Sequence, residues 1–228
     1  MRYMIHAYPG RMWYVEGYLV PKLKELGIKA KDIVVWNDKD GKGNLRACME
    51  AFAWCGAHPT KDGTWHLQDD GIPCKDFKEK TERITGDVVC GFLHRMLGEK
   101  VRRGGKPLIG CVTKPTNMWF SFQCIRIADA LAGGCAEWVE SEEAHELFRE
   151  RYKTGTGDDS FFRAFMIRKH QDTDVVTVVP NLVEHIAELI GGSSITPDMG
   201  RFRAYRFDDN GEWAELEEWI RKTRGKAE

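Results

Sequence analysis

Short apolar runs alternate with helically spaced apolar residues over the first third of the chain. Residues 2–8 are mostly apolar and are ended by Pro9-Gly10, which predicts a strand and a turn facing a ligand. Over 12–26, Tyr14, Tyr18, Leu19, Leu23 and Leu26 recur at helical spacing, with Gly27 as a stop and Pro21 as the expected kink. Ile33-Val34-Val35-Trp36 reads as a buried strand closed by the polar run 37–44. A helix is expected over 45–55 with Asn44 as its cap. A third strand, around Trp65, runs into Gln68-Asp69-Asp70 and is stopped by Gly71-Ile72-Pro73. This β-α-β-α-β order predicts a parallel sheet covered by helices.

The later pattern is less regular. Helices are expected at 77–84, 120–131 (ended by Gly133-Gly134), 140–153, from Asp158-Asp159 through Ile167, and at 212–222. Strands are expected at 88–92, 108–112, 175–179 and 202–207. There is no repeat, low-complexity segment or evident linker, so the expectation is one α/β domain over 1–228.

Composition narrows the class. Across 228 residues, 42% hydrophobic and 30% charged content describe an ordinary globular chain. No apolar run is long enough to span a bilayer, and polar residues come too early at the amino terminus for a secretory signal. Seven cysteines with no Cys-x-x-Cys pair argue for reduced thiols and a cytoplasmic location. A net charge of -1 gives no global attraction to nucleic acid, so any basic surface is local.

The candidate chemistry gathers at the loops. Asp69-Asp70 puts two charges at a strand end, where a cation, a hydrogen-bond network or water must compensate them; Asp-Asp-Gly is also ordinary turn chemistry. Ligands of open α/β sheets bind beyond the carboxyl ends of the strands. The 37–44 loop, with Asn37, Asp38 and Asn44, suits a ribose or base, or is a solvated surface loop. In Gly155-Thr156-Gly157-Asp158-Asp159-Ser160 an acid at a helix start is either a cap or a base for an attacking hydroxyl. His185, in Pro180-Asn181-Leu182-Val183-Glu184-His185, is followed by Gly191-Gly192-Ser193-Ser194, whose amides and hydroxyls suit phosphate oxygens. Carboxylate, imidazole and diphosphate oxygens suit manganese or magnesium better than zinc.

In this order the motifs resemble a small GT-A-fold glycosyltransferase, close to the compact glycosyltransferase-like proteins of bacteriophages and bacteria. The resemblance covers residue 2 to about 195. It implies a Rossmann-like, mixed but mostly parallel sheet flanked by helices, with a nucleotide-sugar half (1–76) and an acceptor half (77–228). It implies a UDP-sugar donor such as UDP-glucose, bound near Tyr8, Pro9, Asn37, Asp38, Asn44, Ser193 and Ser194. The family's Asp-any-Asp metal motif falls on Gln68-Asp69-Asp70. Asp70 and His185 are thereby implied as ligands of Mn2+ or Mg2+, and Asp69 as a contact to the donor's ribose or sugar. Asp159, with Asp158 beside it, matches the catalytic base of inverting members.

For the acceptor, Arg95, Lys100, Arg102, Arg103, Lys106 and Lys114 precede Asn117-Met118-Trp119-Phe120, and Arg201, Arg203 and Arg206 extend the basic set. Cations beside aromatics suit a nucleic acid, here DNA carrying 5-hydroxymethylpyrimidines, with Arg102, Arg103 and Trp119 as contacts. A solvated basic surface with core aromatics accounts for the same residues. A glycan, protein or small-molecule acceptor remains open. So do a metal-dependent nucleotidyltransferase or phosphohydrolase and a non-catalytic binding module.

Overall fold

A computed structural model describes residues 1–93, 111–115, 123–149, 153, 158–190, 204, 207–208 and 210–224. Strands β1 (Arg2–Ala7), β2 (Ile33–Asn37) and β3 (Thr64–Gln68) form where the apolar runs predict them. β1 lies between the other two and pairs parallel with both, Tyr3 facing Ile33 and Trp65. Alternation along β1 sends Met4 to one face of the sheet and Tyr3, Ile5 and Ala7 to the other.

The β1–β2 connection holds a 3-10 turn (Pro9–Arg11), α1 (Met12–Tyr14), a π-helical turn (Val15–Leu19) and α2 (Val20–Glu25). Pro21 has no N–H for the carbonyl four residues back. The chain absorbs this by widening into the π turn rather than by breaking. α3 (Asn44–Ala57) begins one residue earlier than expected. Its cap is Gly43 at φ 87°, a conformation that Asn44, already helical, would adopt less easily.

Further along are β4 (Gly71–Pro73), α4 (Phe77–Arg83), β5 (Val88–Cys90), β6 (Cys111–Thr113) and β7 (Cys124–Ile127). They are followed by α5 (Asp129–Val139), α6 (Glu142–Leu147), α7 (Asp158–Lys169), β8 (Val175–Thr177), β9 (Val183–His185), α8 (Ala187–Ile190) and α9 (Glu212–Arg224). Among the described residues the main sheet has seven strands, ordered β2-β1-β3-β7-β5-β8-β6. β7 and β6 run against their neighbours and the other five strands share one direction. The sheet is thus mixed and mostly parallel, as expected for this α/β class. No helix among the described residues is long and apolar enough to cross a membrane.

Three expectations are corrected. The helix expected at 120–131 is strand β7 at its described start, because Ile125 and Ile127 face one core while Arg126 points outward to Asp62 O. The helix starts only at Asp129, and Gly133-Gly134 lie inside it. A Cβ on Gly56 of α3 would stand 2.7 Å from the Gly133 Cα, so the glycines let two helices touch backbone to backbone. The third strand does stop, at Gln68, and the turn is Asp69-Asp70 itself, so Gly71-Ile72-Pro73 is not the stop. It forms β4, which pairs antiparallel with β9 in a separate small sheet. The long helix expected from 140 has α6 as its first described part. Ser141 caps it through Ala144 N–H, and Phe148 leaves helical geometry to pack on Phe161. The strand expected at 202–207 lies largely outside the described residues.

One core lies between the sheet and α3, α5 and α7, and is filled by Phe52, Phe161, Phe162 and Phe165. The other lies under α1, α2 and α9. Each such buried aromatic contributes roughly 2–3 kcal/mol. On the second face α9 docks on the π turn. Trp219 stacks on Trp13 at 5.6 Å and fills the space a Cβ on Gly17 would need, 2.9 Å from its ring.

Candidate functional site

The parallel strands β2, β1 and β3 end together, and their following loops carry Asp38, Tyr8 and Asp69-Asp70. Asp69 N–H donates to His6 O at 3.1 Å, which carries the β1–β3 ladder one residue past β3. This turns the Asp69 carboxylate toward the loop after β1. There it accepts Tyr8 N–H at 2.6 Å through Oδ2 and Arg11 Nη1 at 2.7 Å through Oδ1. The same Arg11 nitrogen donates to Asp70 Oδ2 at 2.8 Å.

His185 arrives from the far end of the chain. β9 pairs with β4 so that His185 faces Gly71, and Ile186 N–H donates to Asp70 O at 2.8 Å. These contacts bring His185 Nε2 to 3.3 Å from Asp70 Oδ2. Asp70 is 6% and His185 4% exposed. Glu184 accepts the N–H of His185 and of Ala204, and Tyr14 Oη donates to Gly71 O at 2.9 Å, fixing α1 to β4. The second carboxylate oxygen, Asp70 Oδ1, is buried and has no hydrogen-bond partner among the described residues.

The two carboxylates differ electrostatically. Burial and the neighbouring Asp70 charge push Asp69 up to about 6, against the opposing pull of Arg11 and Tyr8 N–H. Burial also pushes Asp70 upward, but His185 and Arg11 outweigh it and hold this carboxyl well below the usual range. Asp70 therefore stays ionised. Among the described residues no group of three or more His, Cys, Asp or Glu side chains converges as a metal site, so Asp70 and His185 would be two protein donors to an Mn2+ or Mg2+ ion that takes water or phosphate oxygens at its further positions.

Of the donor-site residues, Tyr8 lies against the acid pair through its N–H, and its ring is 59% exposed, over the Pro9-Gly10 turn. Asn37 ends β2, and its Oδ1 has no partner among the described residues. Asp38 closes its own loop, accepting Lys42 N–H and Gly43 N–H at 2.8 Å each. Asn44 is the first residue of α3. Gln68, where the resembled motif has its first acid, accepts from Gln123 Nε2 and ties β3 to the start of β7. Asp158 and Asp159 open α7 as expected, and Asp159 Oδ1 accepts Ser160 N–H at 2.6 Å. From that helix Phe162 packs on Phe52, which stands edge-on to His66 at 4.9 Å. Ser193, Ser194, Arg102, Arg103 and Trp119 lie outside the described residues, as does most of the basic run.

Sequence reasoning missed Arg11 and a histidine pair. The acid pair's need for a counter-charge was legible, but not which basic residue supplies it. His6 and His66 sit on adjacent parallel strands two residues apart in register, and so on one face of the sheet, with His6 Nε2 2.8 Å from His66 Nδ1. Such a contact requires one nitrogen without a proton. Burial lowers His6 to about 4. Burial, with the charges of His6 and Arg2, also holds His66 well below its ordinary value. The folded state thus binds fewer protons than the unfolded chain. The stabilisation is complete above the unfolded value near 6.5 and is lost as pH falls from there to about 4. The full shift of His6 corresponds to ~3 kcal/mol, and partial exposure of its ring reduces this to about 2. Urea unfolding at pH 7 and pH 4.5 is expected to show the wild type losing about 2 kcal/mol more than the double variant His6→Gln, His66→Gln. Equal losses refute the assignment.

The chain matches no protein-family model and no curated protein.

Proposed function

We propose that the protein is a metal-dependent glycosyltransferase that moves a sugar from a nucleotide-sugar donor, a UDP-hexose, to an acceptor hydroxyl. The observation that carries this reading is the buried Asp70 at the carboxyl edge of the sheet, its Oδ2 3.3 Å from His185 Nε2 and its Oδ1 without a hydrogen-bond partner among the described residues. Two features of the same edge support it. Asn37 Oδ1 offers a second acceptor without a partner among the described residues at the end of β2, and the exposed Tyr8 ring after β1 gives a flat apolar surface at the same edge.

In this reading Asp70 and His185 hold Mn2+ or Mg2+, which stabilises the charge of the departing diphosphate. Asn37 and the 38–44 loop receive the nucleoside, Asp69 the ribose or sugar, and Ser193 and Ser194 the phosphates. Asp159, or its neighbour Asp158, removes the proton of the acceptor hydroxyl, which is otherwise a poor nucleophile. The acceptor we propose is a 5-hydroxymethylpyrimidine in DNA, on the basic and aromatic run of the sequence alone.

The test is thermal unfolding with a panel of nucleotide sugars, each with and without Mn2+. A donor at a hundredfold its Kd stabilises by about 2.7 kcal/mol, which corresponds to ~5–10 °C in a chain of this size. One donor is expected to give that rise only with the metal. No rise with any donor sinks the reading, and hydrolysis of nucleotides without sugar transfer favours a phosphohydrolase.

A further inference from the structure

The acid pair already holds a cation, and it belongs to the chain. A single nitrogen, Arg11 Nη1, bridges Asp69 Oδ1 and Asp70 Oδ2 at 2.7 and 2.8 Å. The three side chains are 13%, 6% and 8% exposed, so this is a desolvated bridge and not a surface ion pair. Arg11 closes the Pro9–Arg11 turn, its N–H bonded to Tyr8 O at 2.9 Å, directly after the exposed Tyr8 ring. Beside the bridge, Asp70 Oδ1 is buried without a partner among the described residues and His185 Nε2 stands 3.3 Å from Oδ2.

These positions set up a competition. A divalent cation on Asp70 and His185 shares its carboxylate with the Arg11 guanidinium, and two cations held that close repel one another. Two carboxylates and one guanidinium leave a single negative charge for the metal. A guanidinium, however, binds phosphate oxygens with the same planar fork that fits carboxylates. An arriving diphosphate therefore gives Arg11 equivalent acceptors and leaves the acid pair to the metal.

We propose that Arg11 positions the donor's diphosphate and, in the free protein, blocks the metal site. It holds Asp69 and Asp70 until phosphate oxygens replace them, so that divalent cation and nucleotide bind as an interdependent pair. This rests on the glycosyltransferase reading for the identity of the diphosphate.

The test measures Mn2+ binding alone by electron paramagnetic resonance, and UDP binding in saturating Mn2+ by calorimetry, for wild type and Arg11→Gln. The variant is expected to bind Mn2+ at least tenfold more tightly and UDP at least tenfold more weakly. A residue that only supports the fold moves both affinities in the same direction, so a parallel loss, or no change in Mn2+ affinity, overturns the proposal. If Arg11→Gln does not fold, Arg11→Lys decides. Its more hydrated, flexible ammonium is expected to shift the two affinities in the same opposite senses by about threefold, and unchanged or parallel shifts overturn the proposal. Tighter Mn2+ binding without UDP binding by either protein overturns the diphosphate role together with the transferase reading. UDP binding with unchanged Mn2+ affinity overturns the role of Arg11 alone.

Discussion

Asp70→Asn is expected to leave the protein folded and to weaken Mn2+-dependent donor binding by about 100-fold or more. The amide keeps the shape and one acceptor oxygen for Arg11 or His185, but it removes the charge that the proposed metal ligation needs. Calorimetry with a UDP-sugar and Mn2+ reads the loss. Asp69→Asn serves as the contrast. Its carboxyl is pushed up to about 6 by burial and by Asp70, and it already accepts Tyr8 N–H and Arg11. Its charge is thus less committed at neutral pH, and the expected loss is roughly tenfold, in the range seen for supporting groups. Equal donor binding by Asp70→Asn and wild type refutes the metal assignment, and equal losses in the two variants refute the division of roles.

The second large effect concerns stability. Asp129, the first residue of α5, is 3% exposed and ties the helix start to the loop before β3. Its carboxylate accepts Thr60 N–H at 2.7 Å, Thr60 Oγ1 at 3.0 Å and Thr64 Oγ1 at 2.6 Å, and lies 3.9 Å from Arg2 Nη1. Asp129→Ala removes the acceptor of Thr60 N–H and Thr64 Oγ1 and the counter-charge of the nearly buried Arg2 guanidinium, which keeps His58 O and Thr64 Oγ1 as acceptors. The expected loss is about 3–4 kcal/mol. Urea unfolding checks it, and a loss under about 1 kcal/mol, the size of a simple helix cap, rejects the network. Asp129→Asn, which keeps acceptors and removes charge, separates hydrogen bonding from the ion pair.

The first half of the fold was legible because its signals are local. Continuous apolar runs at β1, β2 and β3, separated by one long helical stretch and one capped helix, allow little other than a parallel core. The region after 120 misled because Phe120, Cys124, Ile127 and Leu131 recur at helical spacing while Ile125 and Ile127 also fit the alternation of β7. Gly133-Gly134 read as a stop because a glycine pair usually marks a helix end. Its actual cause, contact with Gly56, is a property of two helices and of neither sequence alone. The site divides in the same way. Asp70 and His185 were found as residue types in loops, but Arg11 was one of 34 basic side chains, and only the folded turn after β1 selects it. The two histidines on β1 and β3 gave no signal, since each alone is an ordinary polar residue in an apolar strand.

The small sheet of β4 and β9 joins chain segments that are distant in sequence through three facing residue pairs. The pairing is not isolated: Ile186 N–H donates to Asp70 O, Cys74 N–H to Leu182 O and Leu182 N–H to Gly91 O, and Leu182, Val183 and Ile186 are buried in the second core. The imidazole is thus held against the carboxylate by the packing that also holds the main sheet, and the two separate only when that core opens. Assembly of the site is in that sense part of the folding of the domain. Any ligand that bridges Asp70 and His185 stabilises both together, slowing exchange at the β4 and β9 amides and at those of the core behind them.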